Sequence, residues 1–236
     1  MALPQMKTAT YLMEVPSTGR EIEFRPYTVK EEKVLMIAME SKDQKQTFRA
    51  LKSVIKDCVK EDIDVSRLTL FDFEYMFLQL RAKSVGEIVD LNMKCQAEGC
   101  GGVSSVQVDL DSIKVSKMPE SNIIQLDDRI GVTFQFPSLD IAEKYQEADM
   151  EKVSSVFDMI VDCTESIYDE EEVYDCKNET RENIINFYES LSSPQFAKVS
   201  EFFSAMPTVE KDIEYKCPKC GHENKVELKG LQSFFT

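Results

Sequence analysis

Tryptophan is absent, histidine occurs once, and glycine and proline number only eight each in 236 residues. So little Gly and Pro excludes collagen-like and low-complexity chains, and one histidine leaves little room for His-based acid–base catalysis. Positive charge is short as well, with 28 Lys and Arg against 43 Asp and Glu and a net charge of −15. A duplex binder neutralises phosphates with clustered basic side chains, so this balance argues against broad nucleic-acid binding. No apolar run approaches the roughly 18 residues that a membrane span requires. The opening residues Met1 to Glu14 lack the apolar core of a signal peptide, and synthesis in the cytoplasm is expected. Phosphate-cradling glycine loops, dinucleotide fingerprints and nucleophile elbows are also missing. At 42% hydrophobic and 30% charged residues, the composition is that of an ordinary globular protein. A chain of this length buries roughly 70–75% of its unfolded surface.

Runs of strands and runs of helices without strict alternation predict an α+β fold, a helical core carrying β-hairpins. Tyr11–Val15 and Arg20–Arg25 read as a hairpin around Pro16-Ser17-Thr18-Gly19. Thr28 followed by Glu31 is a capping-box signature, and Val34, Leu35, Ile37 and Ala38 give the stripe of the helix it opens. A second helix is expected over about 44–59, with Phe48, Leu51, Ile55 and Cys58 on its buried face. Opposite them Lys45, Arg49, Lys52, Lys56 and Lys60 form a basic stripe, either a solvated face or a docking face for an acidic partner. Residues 69–84 are apolar around most of a helical circumference, which marks a buried central helix. Glu87–Lys94 and Val103–Leu110 alternate as paired strands, and Ile123–Leu126 with Ile130–Phe136 form another pair. Helices are predicted near 139–149, 151–164, 179–191 and 195–205. Val209–Lys216 and Lys225–Lys229 make the last strand pair. Three parts of one integrated domain result: 1–136, a helical part 137–206 and a C-terminal hairpin 207–236.

Seven cysteines in such a chain do not read as a disulfide framework. Cys217-Pro218-Lys219-Cys220-Gly221 is a tight two-residue knuckle. Cys95 and Cys100, followed by Gly101 and Gly102, form a looser one. Two hairpin-borne pairs supply four thiolates, the ligand set of a tetrahedral structural zinc site. With four protein ligands no coordination position stays open for water, so the zinc would be structural. His222 either replaces a thiolate, donates a hydrogen bond from outside the ligand set, or is a turn residue. Cys58 and Cys163 continue apolar helix faces as small core residues, and Cys176 is left unassigned. A reversible Cys217–Cys220 redox dithiol is a lesser alternative.

Residues 166–183 hold seven acids and two bases and read as an acidic loop leading into a helix. Leu231, Phe234 and Phe235 near the C-terminus either pack on the chain's own core or insert into a neighbour.

Two longer stretches carry a resemblance: Arg25-Pro26-Tyr27-Thr28-Val29-Lys30-Glu31-Glu32-Lys33, and Phe71-Asp72-Phe73-Glu74-Tyr75-Met76-Phe77-Leu78-Gln79-Leu80-Arg81-Ala82-Lys83-Ser84-Val85-Gly86. With the Leu12-to-Gly19 turn and the two cysteine pairs, they resemble the baseplate hub subunit and hub-assembly proteins of T-even-type contractile-tailed phages. The resemblance covers most of the first 110 residues and the C-terminal knuckle, with 137–205 matched by position only. It implies a structural or assembly role in a tail baseplate hub, with hub or tail proteins as partners in the host cytoplasm or the virion baseplate. It brings no catalytic residues. The alternative is a zinc-ribbon adaptor for nucleic acid or transcription machinery, since residues 216–225 carry three lysines against one glutamate.

Overall fold

A computed structural model describes residues 6–145 and 153–234. The chain divides into two compact units, one formed by the stretches up to Ser116 and from Thr208, the other by Lys117–Pro207. The sequence reading set its divisions at 136/137 and 206/207.

The first unit begins with strands β1 (Tyr11–Val15) and β2 (Arg20–Phe24), antiparallel with Tyr11 opposite Phe24. Met13, Val15, Ile22 and Phe24 alternate onto the buried face, as a half-buried hairpin requires. Helix α1 (Val29–Glu40) opens with the expected capping box. The Thr28 amide and hydroxyl both donate to Glu31 Oε2, at 2.8 and 2.7 Å, and Arg25 Nη2 donates to Oε1 at 2.9 Å. Burial alone would raise the Glu31 pKa, but these donors outweigh it and bring it down to about 2. The α1 stripe lies differently from its prediction: Ala38 is buried, whereas Val34 and Ile37 are exposed. Helix α2 (Gln44–Cys58) is capped by Asp43 and buries Ala50, Val54, Ile55 and Cys58. Phe48 and Leu51 are half-buried, and the Lys52 ammonium sits over the Phe48 ring.

Helix α3 (Leu70–Ser84) is the central element. Phe71, Phe73, Met76, Phe77, Leu78 and Leu80 are each less than 5% exposed, and burying one such side chain is worth about 1.5–3 kcal/mol. The polar residues of α3 reach the rest of the unit. Asp72, buried at the first turn, accepts the Ser17 amide of the β1–β2 turn at 2.8 Å. Glu74 accepts the Leu231 amide at 3.1 Å, and Ser84 accepts the Tyr27 amide at 2.9 Å. Burial raises the Glu74 pKa, and the Leu231 hydrogen bond offsets part of that rise.

Strands β3 (Ile88–Lys94) and β4 (Val103–Asp109) then pair antiparallel, Ile88 opposite Asp109 and Lys94 opposite Val103. The short β5 (Lys114–Val115) ends this part of the unit.

The second unit contains one antiparallel sheet in the order β6 (Ile123–Gln125), β7 (Gly131–Phe134), β8 (Thr164–Tyr168), β9 (Val173–Asp175). Its helices are α4 (Leu139–Tyr145), α5 (Val153–Cys163), α6 (Arg181–Glu189) and α7 (Ser193–Ser204). Expected helical positions 146–149, 151 and 152 lie outside the described residues. Phe134 stacks on Phe202 at 5.2 Å in a core that includes Leu126, Val132, Ile160, Cys176, Tyr188 and Val199. The Thr164 hydroxyl donates to the Ile160 carbonyl and accepts from the buried Tyr188 hydroxyl at 2.7 Å. Asp162 accepts from Lys144, from Tyr145 Oη at 2.7 Å and from Arg181, which gathers α4 and α6 onto α5.

The acidic loop expected at 166–183 is corrected. Its first half is the β8–β9 hairpin, with Ser166 opposite Asp175 and Tyr168 opposite Val173. Asp169 closes the turn by accepting the Glu171 and Glu172 amides, each at 2.9 Å. Ile167, Tyr168, Val173 and Tyr174 favour strand geometry, and the ladder that β7 offers to β8 outweighs the charge density that suggested a loop.

The first unit resumes with β10 (Val209–Lys216) and β11 (Glu223–Lys229), and β10 also pairs with β5 through Val209 and Val115. A 3-10 turn, Leu231–Phe234, follows with Leu231 and Phe234 buried, so these two pack within the chain. Phe235 lies outside the described residues.

Replacing Glu31 with Gln removes a carboxylate whose folded pKa, about 2, lies below its ordinary 4.5. Its stabilisation is therefore present above pH 4.5 and lost as pH falls towards 2. The variant is expected to be less stable than the parent by about 2 kcal/mol at neutral pH. Urea unfolding of both chains should show that difference shrinking through this window.

Candidate metal centre

The β3–β4 and β10–β11 hairpins each end in a cysteine knuckle. At the first, the Cys95 amide donates to Gly102 O at 2.8 Å, and the Cys100 amide donates to Ala97 O at 3.1 Å. Gly99 and Gly101 hold φ of 70° and 58°, the left-handed region that glycine enters without strain. At the second, the Cys217 amide donates to His222 O at 2.8 Å and the Gly221 amide to Cys217 O at 2.9 Å.

The four sulfurs of Cys95, Cys100, Cys217 and Cys220 lie within 4.8 Å of one another. Cys95 Sγ is 3.6 Å from Cys220 Sγ, and Cys100 Sγ is 3.8 Å from Cys217 Sγ. A tetrahedron built on zinc–sulfur bonds of about 2.3 Å has edges of about 3.8 Å. The four positions singled out in the sequence are thus brought together in an arrangement able to hold one metal ion. Among the described residues no second group of this kind occurs. Cys217 is buried, Cys95 and Cys100 are half-buried, and Cys220 is exposed. Hydrogen bonds from backbone amides, first that of Cys220, draw the Cys217 thiol down to about 7, so a thiolate forms readily there.

Gly102 is a structural requirement of the site. A Cβ at this position would lie 2.7 Å from Cys217 Sγ and 3.2 Å from Cys100 Sγ. Outside the sulfurs, hydrogen bonds from three residues of the second hairpin join it to the first. Asn224, buried in β11, accepts the Gln96 amide at 2.7 Å and donates to His222 O at 3.1 Å. Tyr215 Oη donates to Lys94 O, and Lys219 Nζ donates to Cys100 O, both at 2.6 Å. Sequence reasoning missed these three residues. Asn224 fell just outside the strand expected at Lys225–Lys229, and the observed β11 takes it in. His222 contributes its backbone carbonyl, while the residue itself is exposed.

The other three cysteines are buried and outside the cluster. Burial raises the thiol of Cys58 to about 11, of Cys163 to about 12 and of Cys176 to about 11. Cys176 thereby acquires the core role that the sequence left open. In the second unit a cleft of about 240 Å³ is lined by Gln135, Asp162, Cys176 and Arg181 among others. Its Arg181 is already engaged by Asp158 and Asp162. No helix among the described residues is long and apolar enough to cross a membrane.

The first unit is thus a set of small hairpins around one buried helix, two of which bring four cysteine sulfurs together at their tips. Residues 8–236 match the family described as T4 bacteriophage base plate protein, and the chain belongs to that family. The match extends through the middle of the chain, where the sequence resemblance rested on position alone. The chain is also similar to the baseplate hub assembly protein gp26 of Enterobacteria phage T4, with 25% identity over 226 residues. That alignment covers 95% of this chain and 97% of that protein. No solved structure matches. Membership in the family supports a structural role in a phage baseplate.

Gly102→Ala tests the packing of the knuckles. The added methyl must displace sulfur atoms held by two hairpins, so the substitution is expected to destabilise the first unit by about 1–3 kcal/mol. Calorimetry of both chains would read this as a lower melting temperature, and an unchanged melt would contradict the close approach of Gly102 to Cys217.

Proposed function

We propose that the chain is a structural or assembly protein of a phage tail baseplate hub. It acts by contacting other hub or tail proteins and has no catalytic turnover. The family match over residues 8–236 carries this reading, and the printed role of the T4 relative, hub assembly, supports its finer part. Assembly takes place in the host cytoplasm, and the virion baseplate is the destination.

Cys95, Cys100, Cys217 and Cys220 hold one structural zinc ion. Four sulfurs spaced for a single tetrahedral ion support zinc rather than a larger cluster. Zinc would tie the two hairpin tips together and leave no open position for substrate or water. Lys219, which donates to Cys100 O, places a positive charge near a centre whose four thiolates outweigh the ion's two charges.

Native mass spectrometry is expected to find one zinc per chain. Chelation, or Cys217→Ser, should remove it and lower the melting temperature of the first unit. A metal-free protein with an unaltered melt would overturn the zinc assignment. Reconstitution with hub and tail proteins of the same phage is expected to give a stable, isolable complex. Failure to join any hub component would overturn the assembly role.

A further inference from the structure

Helix α2 carries a basic stripe that the metal centre does not use. Lys45, Arg49 and Lys56 are exposed, while Lys52 lies over the Phe48 ring and Lys60 pairs with Glu23. Among the described residues, Arg49 and Lys56 take part in no ion pair. Two helical turns separate them, roughly 10 Å. The screening length at about 0.1 M salt is also about 10 Å, so the stripe acts as one field. Residues 42–60 hold six basic and two acidic side chains in a chain of net charge −15.

The sheet of the second unit ends in the opposite charge. Residues 165–175, in the β8–β9 hairpin, hold six acids and no base. Glu170, Glu171 and Glu172 at its tip are exposed and form no ion pair among the described residues. The turn does not need the side chains of Glu171 and Glu172, since it is their backbone amides that donate to Asp169. β9 is an outer strand of its sheet, and beside the acids Val173 is 66% exposed and Tyr174 39%. An unpaired strand edge invites another chain, and acids placed on it repel an identical edge. A second copy therefore meets this hairpin through a positive surface, and α2 supplies one.

We propose that the α2 stripe is the docking face for the β8–β9 hairpin of a second copy, with Arg49 and Lys56 of one chain meeting Glu171 and Glu172 of the other. The two patches differ, so the contact is heterologous, and every chain carries one of each. Opposite potentials select these surfaces and speed their encounter. Exposed ion pairs are weak singly. Val173 and Tyr174 add apolar contact, and the long stems of the arginine and lysines offer apolar surface to receive them. The proposal is independent of the zinc assignment and of the hub reading.

Sedimentation equilibrium of the full chain over roughly 1–200 μM in about 50 mM salt tests it. The weight-average mass is expected to rise with concentration, and about 500 mM salt should weaken the association by about tenfold or more. Arg49→Glu with Lys56→Glu, and separately Glu171→Lys with Glu172→Lys, should each weaken it by about tenfold or more with an unchanged melt. An equimolar mixture of these two variants again presents opposite charges to one another, and it should associate to within about threefold of the parent. A parent chain that stays monomeric would overturn the proposal, as would an association indifferent to either reversal. A mixture no better than either variant alone would overturn the pairing of these two patches.

Discussion

Two hairpin tips that stand 117 and 125 residues apart in sequence, measured between their facing sulfurs, must meet within 4 Å. Bringing together chain segments so far apart costs conformational entropy, on the order of 4 kcal/mol for a flexible loop. No single sulfur contact offsets that. The meeting is prepared elsewhere, because β5 pairs with β10, the Leu231 amide donates to Glu74 of α3, and Asn224 and Tyr215 reach across from one hairpin to the other. The sulfurs are the last of several constraints that close the first unit around α3.

That arrangement gives a physical reason for the two family stretches. The Arg25–Lys33 stretch contains the Arg25–Thr28–Glu31 hydrogen-bond set that starts α1. The Phe71–Gly86 stretch contains both the fully buried side chains of α3 and the polar groups, Asp72, Glu74 and Ser84, that hold the first turn, the C-terminal turn and Tyr27. An apolar helix placed at the centre needs such groups. Hydrophobic burial fixes that it is inside, but only directed hydrogen bonds fix which neighbours it meets. The second unit solves the same problem with an aromatic core, and a single carboxylate, Asp162, gathers side chains from two other helices.

The inside of the first unit is strongly specified, whereas part of its outside is not covered. An exposed row of Val29, Met36 and Ile37 beside a carefully capped helix start is poor economy for a monomer and ordinary for an assembly component. A member of a baseplate family is expected to keep part of its apolar surface for other chains. Charge then steers which surfaces meet, since patches of opposite potential attract and like patches repel.

Local chemistry decided much that was legible in the sequence alone. Thr28 with Glu31, the alternation in β3 and β4, the apolar girth of residues 69–84 and the two cysteine knuckles each depend on a few neighbouring residues, and each was readable. What the sequence left hidden depends on partners far along the chain. The acidic segment became the β8–β9 hairpin because β7 stood ready to pair with β8. Val34 and Ile37 faced outward because Glu31, held by Arg25, fixed the other side of α1 as the inner one. Gly102, Asn224 and Lys219 joined the candidate metal centre only when two remote hairpins met, since a residue's distance from a sulfur more than 100 positions away is set by packing and by no local preference.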